Sequence, residues 1–487
     1  MSIKVFNTLT KQKEELVTRK PGKIGMYVCG PTTYNFIHLG NARPIVVFDT
    51  VRRYLKYRGY EVTYVQNFTD VDDKIINRAY EEKEDPVKLA EKYIAAYYAD
   101  ADALGVLRAD VHPRVTDHMN DITNMVQGII DKGYAYEAGG DVYFDVRKFI
   151  GYGKLSGRDI DDMKAGARVD IGEQKRDPID FALWKAAKPG EPSWDSPWGK
   201  GRPGWHIECS VMSLKYLGEG FDIHGGGADL IFPHHENEIA QAEAYSGKQF
   251  VRYWLHNGFI TVNQEKMSKS LGNFFLVRDI LNKFSPEVVR FYLLSTHYRS
   301  PLDFDDQKLH VAEKGLERIR TSIRLGEEAL TACEKAGEPG EAPEAKTFSE
   351  NIEKIRSSFV EAMDDDFNTS LAIAQVFDLC RELNSFINDD RFVPGSNPAQ
   401  CIKKAITLFD EFHSVLGMIR PLENKKADEG LEEKLMDIII DVRQKARKQK
   451  DWAAADAIRD RLKEIGIILE DTPHGVRWKR TEVSHGS

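Results

Sequence analysis

The sequence predicts an α/β protein in which a parallel sheet is interrupted by an insertion and followed by helices. Three observations carry that expectation. Ile24 to Val28 reads as an apolar strand that breaks at Gly30-Pro31 and gives way to an amphipathic run from about Leu39 to Tyr57, a strand–loop–helix unit. Further short apolar strands, at Glu61 to Phe68, Phe221 to His224 and Tyr253 to His256, alternate with helical periodicity. From about Pro301 the pattern turns helical, with long amphipathic runs up to Leu416. The expected architecture is a Rossmann-like parallel-sheet domain over residues 1–109 and 204–300, with an insertion at 110–203. A helical bundle at 301–420 and a small mixed α/β C-terminal domain at 421–487 follow.

Composition narrows the class. The chain has 487 residues, too many for one core. Hydrophobic residues make up 41% and charged residues 30%, which suits a globular protein in water. No apolar run approaches the roughly 20 residues needed to span a bilayer. The N-terminus has neither the apolar stretch nor the cleavage pattern of a signal peptide, so a cytoplasmic location without membrane contact is expected. Five cysteines, an odd number, make no disulfide framework. Cys333, Cys380 and Cys401 fall in helical patterns and read as buried, whereas Cys29 and Cys209 sit at turns. A net charge of −9 argues against nonspecific nucleic-acid binding but leaves room for a local basic surface.

In chain order, Ile3 to Leu9 is a short strand before the organising unit. In that unit Cys29 lies at the carboxyl end of a strand, where open parallel sheets bind ligands. His38 and Asn41 stand where the helix begins, near free N–H groups and the positive end of its dipole. Gly40 between them lets a flat ligand approach the backbone. The strand ending at Phe68 stops at Thr69-Asp70, which on the residues alone read as caps of the next helix. Residues 110–203 hold a helix from Val115 to Lys132, a β pair around Ala135-Tyr136 and Asp141 to Phe144, and a polar stretch. Trp205 to Cys209 leads into a helix through Leu217, and Gly225-Gly226-Gly227 reads as a tight loop. Pro233 reads as the first residue of a helix, with His234 and Glu238 four apart on one face. The bundle runs are Lys308 to Cys333, Phe348 to Asp364, Ser370 to Asn388 and Cys401 to Leu416. Past the boundary at Pro421 to Asp428 comes a helical piece and a β pair at Ile467 to Glu470 and Gly475 to Trp478.

His38-Leu39-Gly40-Asn41 is a weak signal by itself. Together with Lys266-Met267-Ser268-Lys269-Ser270 it resembles the two signature sequences of class I aminoacyl-tRNA synthetases. Cys29-Gly30-Pro31-Thr32, Gly204 to Cys209 and Phe232 to Glu238 narrow the resemblance to cysteinyl-tRNA synthetases. Leu39 and Asn41 depart from the general pattern of the class but are ordinary among the cysteine enzymes.

The resemblance implies a ligase that activates L-cysteine with ATP and transfers it to tRNA(Cys), as a monomer. It implies one Zn²⁺ on Cys29, Cys209, His234 and Glu238, a donor set that suits this ion. On the residues alone these are two turn cysteines and an i,i+4 pair that fits an exposed helix face equally well. His224 and His235 are expected behind the ligands or in packing. Gly30, Thr69 and Trp205 are expected at the amino-acid pocket. His38, Gly40, Asn41, Gly227, Asp229, Lys266 and Lys269 are expected around ATP, which Mg²⁺ accompanies. In the terminal domain Arg447, Trp452, Arg477 and Trp478 are expected to meet the anticodon, since basic side chains with exposed aromatics suit splayed RNA bases. Without that context such a run is a solvated helix face. Two other readings are open: a shorter kind of ligase that joins cysteine to an amino sugar, and a noncatalytic zinc-dependent RNA-binding protein.

Overall fold

The computed structural model describes residues 2–160, 174–262, 265–266, 275–336, 339–342, 344–420, 431–464, 467–472 and 475–480. The chain divides into two units, Met1–Leu422 and Glu423–Ser487.

The first unit opens with an antiparallel pair, β1 (Lys4–Asn7) and β2 (Gln12–Glu15). The organising unit follows as β3 (Lys23–Val28) and α1 (Leu39–Tyr57). β3 buries its last three residues completely, and the chain then breaks at Gly30-Pro31, where a strand cannot continue. Next come β4 (Glu61–Gln66), α2 (Asp73–Glu82) and α3 (Pro86–Ala103). The cap of α2 is Asp72, whose side chain accepts from the Lys74 amide, and not Asp70. Asp70 instead accepts from the amide and hydroxyl of Thr116 and ties the end of β4 to the insertion.

The insertion holds α4 (Met119–Asp131) and then β5 (Ala135–Ala138), β6 (Asp141–Phe144), β7 (Phe181–Ala186) and β8 (Gly201–Pro203). These four strands form one antiparallel sheet in chain order, where the sequence suggested a single β pair. β7 and β8 are short and separated by a polar connection, so their alternation is masked.

The main sheet resumes through α5 (Ile207–Leu217), β9 (Phe221–Gly227), α6 (Glu236–Ser246) and β10 (Val251–Asn257). Its order is β10-β9-β3-β4, all parallel. Val28 pairs with both Gln66 and Gly225, so the carboxyl ends of these strands share one rim. Two expectations are corrected here. The glycine run at 225–227 is strand, because a Cβ on Gly225 would lie 2.5 Å from the Phe48 ring and its absence lets α1 pack on β9. The regular helix starts at Glu236 rather than Pro233, since Phe232, preceding a proline, is held extended at φ −140°, ψ 132°.

Beyond the sheet lie β11 (Ile260–Val262), β12 (Glu265–Lys266), α7 (Val277–Leu281), α8 (Pro286–Leu294) and β13 (Leu302–Phe304). β11 sits between β12 and β13. The helices α9 (Asp306–Ala336), α10 (Ala345–Asp364), α11 (Thr369–Ile387) and α12 (Ser396–Leu416) pack side by side, with Phe359 on Phe412 and Phe348 on Phe386 as stacked ring pairs. Cys333, Cys380 and Cys401 are buried in them.

The second unit consists of α13 (Leu431–Lys448), α14 (Trp452–Glu464) and an antiparallel hairpin, β14 (Ile467–Thr472) and β15 (Gly475–Arg480). Among the described residues no helix is long and apolar enough to cross a membrane.

Candidate active site and metal centre

A cleft of about 310 Å³ opens at the carboxyl rim of the parallel sheet. Its walls include Cys29 and Gly30 beyond β3, Gln66 at the end of β4, Gly227 at the end of β9 and Asn257 at the end of β10. That is where an open parallel sheet presents ligand sites.

The start of α1 forms one side. His38 is its N-cap: Nδ1 accepts from the Asn41 amide at 3.3 Å, and Asn41 Oδ1 accepts from the His38 amide at 3.2 Å. This reciprocal box holds both side chains at the helix end, and His38, Gly40 and Asn41 all line the cleft. Pro44, also in the wall, has no N–H to give the Gly40 carbonyl, so that carbonyl lacks its ordinary intrahelical donor. Gly227 and Asp229 complete this end. A Cβ on Gly227 would come within 2.4 Å of Asp229 Oδ1, so the two are in close contact.

Cys29, part-buried in the cleft wall, belongs to a compact donor cluster whose other members are buried. Cys29 Sγ lies 3.7 Å from Cys209 Sγ and 3.6 Å from Glu238 Oε1, and His234 Nε2 lies 3.0 Å from Glu238 Oε1. The four expected ligands thus present atoms within 4.8 Å of one another. They come from β3's end, the first turn of α5, the turn before α6 and α6 itself, so Cys209 is helical and not at a turn. Glu238 and His234 are fully buried, not an exposed pair.

The electrostatics fit a cation. Burial raises the Glu238 carboxyl, but His224 and His234 outweigh it and hold it at about 2. Burial lowers His234, while Glu238 and Cys209 lift it to about 10. The Cys29 hydrogen bond brings Cys209 down to about 6 against burial, and burial together with Cys209 pushes Cys29 up. The pair therefore carries one negative charge readily and resists a second. A second set, Cys29, His224, His235 and Glu238, is equally compact. It contains one thiol where the first contains two, and soft thiolates favour Zn²⁺. The Sγ–Sγ spacing of 3.7 Å matches the roughly 3.8 Å of two thiolates at about 2.3 Å from a shared tetrahedral ion. In the first set His224 Nε2 at 2.8 Å from Glu238 Oε2 orients the carboxylate, and His235 bridges Cys29 to His256.

Gly30 leaves the strand so close to β4 that a Cβ there would lie 1.7 Å from the Asn67 carbonyl oxygen. Its amide donates to Asn67 Oδ1 at 2.9 Å. Trp205 stacks on His234, with ring centroids 4.3 Å apart, and forms part of the wall. Thr69 is buried and is not among the residues lining the cleft; its hydroxyl donates to Glu208 Oε2 at 2.8 Å.

Sequence reasoning missed several wall residues: Tyr34, Asn35 and Phe36 before α1, Lys74 on α2, and Gly258 to Ile260 after β10. Lys74 Nζ sits 5.7 Å from the ring centres of both Tyr34 and Trp205. The polar loop Tyr34-Asn35-Phe36 between a strand end and a helix cap was the available signal. For Lys74 and residues 258–260 nothing in the local pattern stood out.

Lys266 ends β12, with Thr261 opposite; its side chain, and all of Lys269, lie outside the described residues. In the second unit Trp452 begins α14 and is 56% exposed, and Arg447 is in the last turn of α13. The hairpin half-buries Trp478, so only one of the two expected aromatics is exposed; Arg477 is placed by backbone alone, opposite Glu470.

Comparison with known proteins agrees with this geometry. The family model described as tRNA synthetases class I (C) catalytic domain matches residues 15–314, a DALR domain matches 358–420, and a cysteinyl-tRNA ligase anticodon binding domain matches 436–478. A cysteine–tRNA ligase of Pelotomaculum thermopropionicum is 63% identical over 98% of this chain and all of its own length. One of Desulforamulus reducens is 60% identical with the same coverage. In structure, the Mycobacterium tuberculosis methionyl-tRNA synthetase in complex with methionyl-adenylate superposes with a TM-score of 0.58 at 14% identity, over 89% of this chain and 96% of that one. With a parallel sheet whose carboxyl rim opens on a cleft, a thiol-rich donor cluster that reaches this cleft through Cys29, and relatives matched over nearly the whole chain, the chain belongs to the cysteinyl-tRNA synthetases, ligases of the class I aminoacyl-tRNA synthetase family.

Proposed function

We propose that the chain activates L-cysteine with ATP and transfers the cysteinyl group to tRNA(Cys), in the cytoplasm and as a monomer. The observation that carries this reading is the sharing of one cleft by the thiol of Cys29 and the helix-start residues His38, Gly40 and Asn41. A cysteine seated at the first and a triphosphate at the second bring carboxylate and α-phosphorus together.

In the first step a carboxylate oxygen of cysteine bonds to the α-phosphorus, and the bond from that phosphorus to the bridging oxygen breaks, releasing pyrophosphate. In the second, a terminal ribose hydroxyl of tRNA attacks the carbonyl and AMP leaves. No protein nucleophile is needed; the chain positions the reactants and stabilises phosphate charge. His38 and Asn41 meet the phosphates and ribose at the helix N-terminus, Asp229 a ribose hydroxyl, and Gly40 and Gly227 the adenosine through their backbone. Lys266 and Lys269 hold the triphosphate, with Mg²⁺ accompanying ATP. Gly30, Thr69 and Trp205 shape the amino-acid pocket.

Cys29, Cys209, His234 and Glu238 would hold Zn²⁺, whose chemistry when bound is to select a thiolate sulfur over a hydroxyl oxygen. Such selection is needed because cysteine and serine are near-isosteres, which a pocket separates by only about 10²-fold, whereas translation needs about 10⁴ or better. In the second unit Trp452, Arg447, Arg477 and Trp478 contact the anticodon.

Cysteine-dependent ATP–pyrophosphate exchange tests the reading, followed by charging of tRNA(Cys) against an amino-sugar acceptor. Exchange with cysteine and not serine, and cysteine delivered to tRNA, are expected. Absence of exchange, or delivery only to the amino sugar, overturns it.

A further inference from the structure

Arg43 belongs to α1, two residues past Asn41, and is completely buried. Buried guanidinium groups ordinarily face a carboxylate. Among the described residues Arg43 has no such partner. It donates instead to four main-chain carbonyls: Nη1 to Gly258 at 2.9 Å and Phe259 at 2.8 Å, Nη2 to Ser300 at 2.5 Å and His297 at 3.5 Å. Four carbonyl dipoles aimed at one point repel one another unless a cation stands between them. Burial draws the guanidinium down to about 10, which leaves it charged at neutral pH.

The two segments it gathers are distant in sequence and adjacent in space. One leads into β11 and the other into β13, and these strands pair in parallel from Ile260–Leu302 onward. The approach is tight: the Gly258 amide donates to the Tyr298 carbonyl at 2.8 Å, and a Cβ on Gly258 would lie 2.5 Å from the Ser300 oxygen. Asn257 to Ile260 form a wall of the same cleft as His38, Gly40 and Asn41. β11 in turn carries β12, which ends at Lys266. One buried cation on the helix that begins at the phosphate end therefore fixes the facing wall and the strand that leads to the lysine signature.

We infer that Arg43 is a positioning residue for ATP: it sets the distance between the start of α1 and the 257–260 wall, without touching the nucleotide. This rests on the reading of the cleft as the ATP site. A role limited to general stability would lower the fraction of active enzyme and leave both Michaelis constants unchanged. The positioning role moves one of them.

The test is cysteine-dependent ATP–pyrophosphate exchange on the full chain, normalised to active-site titre, with Arg43→Ala and Arg43→Lys. For R43A the KM for ATP should rise tenfold or more while the KM for cysteine stays within twofold. R43K keeps the charge but reaches fewer carbonyls, so its KM for ATP should rise about threefold. If R43A yields no folded protein, R43K alone decides. An ATP KM within experimental error of wild type in R43K, or an equal rise in both constants, overturns the proposal. Exchange in the wild-type chain beside such a result would overturn this proposal alone; no exchange in the wild-type chain would overturn the ATP reading and this proposal with it.

Discussion

The amide of Leu39 donates to the carbonyl of Phe275 at 2.9 Å, so the first residue of α1 is bonded to the segment that follows the Lys266–Ser270 signature. The Val277 amide returns the contact, donating to Ile37 at 3.1 Å. The first signature sequence is thus bonded through the main chain to residues 275–277.

Val277→Pro isolates that link. Val277 is the first residue of α7, a position that tolerates proline, and Leu276 before it is already extended at φ −73°, ψ 140°. The change removes one N–H and part of a buried side chain. We expect the KM for ATP in pyrophosphate exchange to rise about three- to tenfold, or about 0.7–1.4 kcal/mol. Bound zinc should not change. Steady-state exchange together with metal analysis checks both.

Cys209→Ser should abolish zinc binding and cysteine activation together. Cys401→Ser is the control, since Cys401 is buried in α12, away from the cleft. One equivalent of zinc is expected in the wild-type chain and in C401S, and none in C209S. Full exchange activity in zinc-free C209S would remove the metal from the account.

Asp49 and Arg290 form an ion pair of 2.8 Å with both side chains almost wholly buried. Asp49 also accepts from Arg53 and the Leu107 amide, and Arg290 from its other nitrogens donates to the carbonyls of Leu104 and Leu416. Asp49→Ala strands a buried guanidinium and should cost about 3–5 kcal/mol. The exposed pair Arg108–Asp102 has half-exposed side chains, and Asp102→Ala should cost about 1 kcal/mol or less. Urea denaturation midpoints of the two variants give the comparison.

His112 supplies a pH dependence away from the metal cluster. Burial lowers its imidazole from 6.5 to about 4; its Nδ1 bonds the Gln66 carbonyl, and its Nε2 accepts from the Ala109 amide. Between those values the unfolded chain binds the proton and the folded chain does not, so stability is lost as pH falls from 6.5 toward 4. The shift corresponds to about 3 kcal/mol. In His112→Asn the slope of unfolding free energy against pH over that interval should be shallower than in the wild-type chain.

The sheet rim and the helix start were readable from the residues because hydrophobic pattern is local, whereas the expected ligand set, drawn from distant segments, rested on the resemblance. Cys29 after an apolar strand and His38 before an amphipathic run mark the sheet rim and the helix start by hydrophobic pattern alone. The bundle was equally plain, since its helices are long and amphipathic. What escaped depends on distant partners. The strands at 181–186 and 201–203 exist by pairing in a sheet that no short window reveals. Gly225 to Gly227 read as a loop because glycine is a poor strand former; the Phe48 ring pressing on Gly225 overrides that preference. Arg43 looked like any charged helix residue, and its four carbonyl partners lie more than 200 positions away.

The crowding at Gly30 bears on redesign. Even a methyl group there would collide with the Asn67 peptide oxygen, so this part of the cleft wall is backbone and cannot be resculpted by mutation at that point. On the proposed function, efforts to accept bulkier or noncanonical amino acids begin at Trp205, whose indole lines the cleft and can be trimmed, while leaving this glycine untouched.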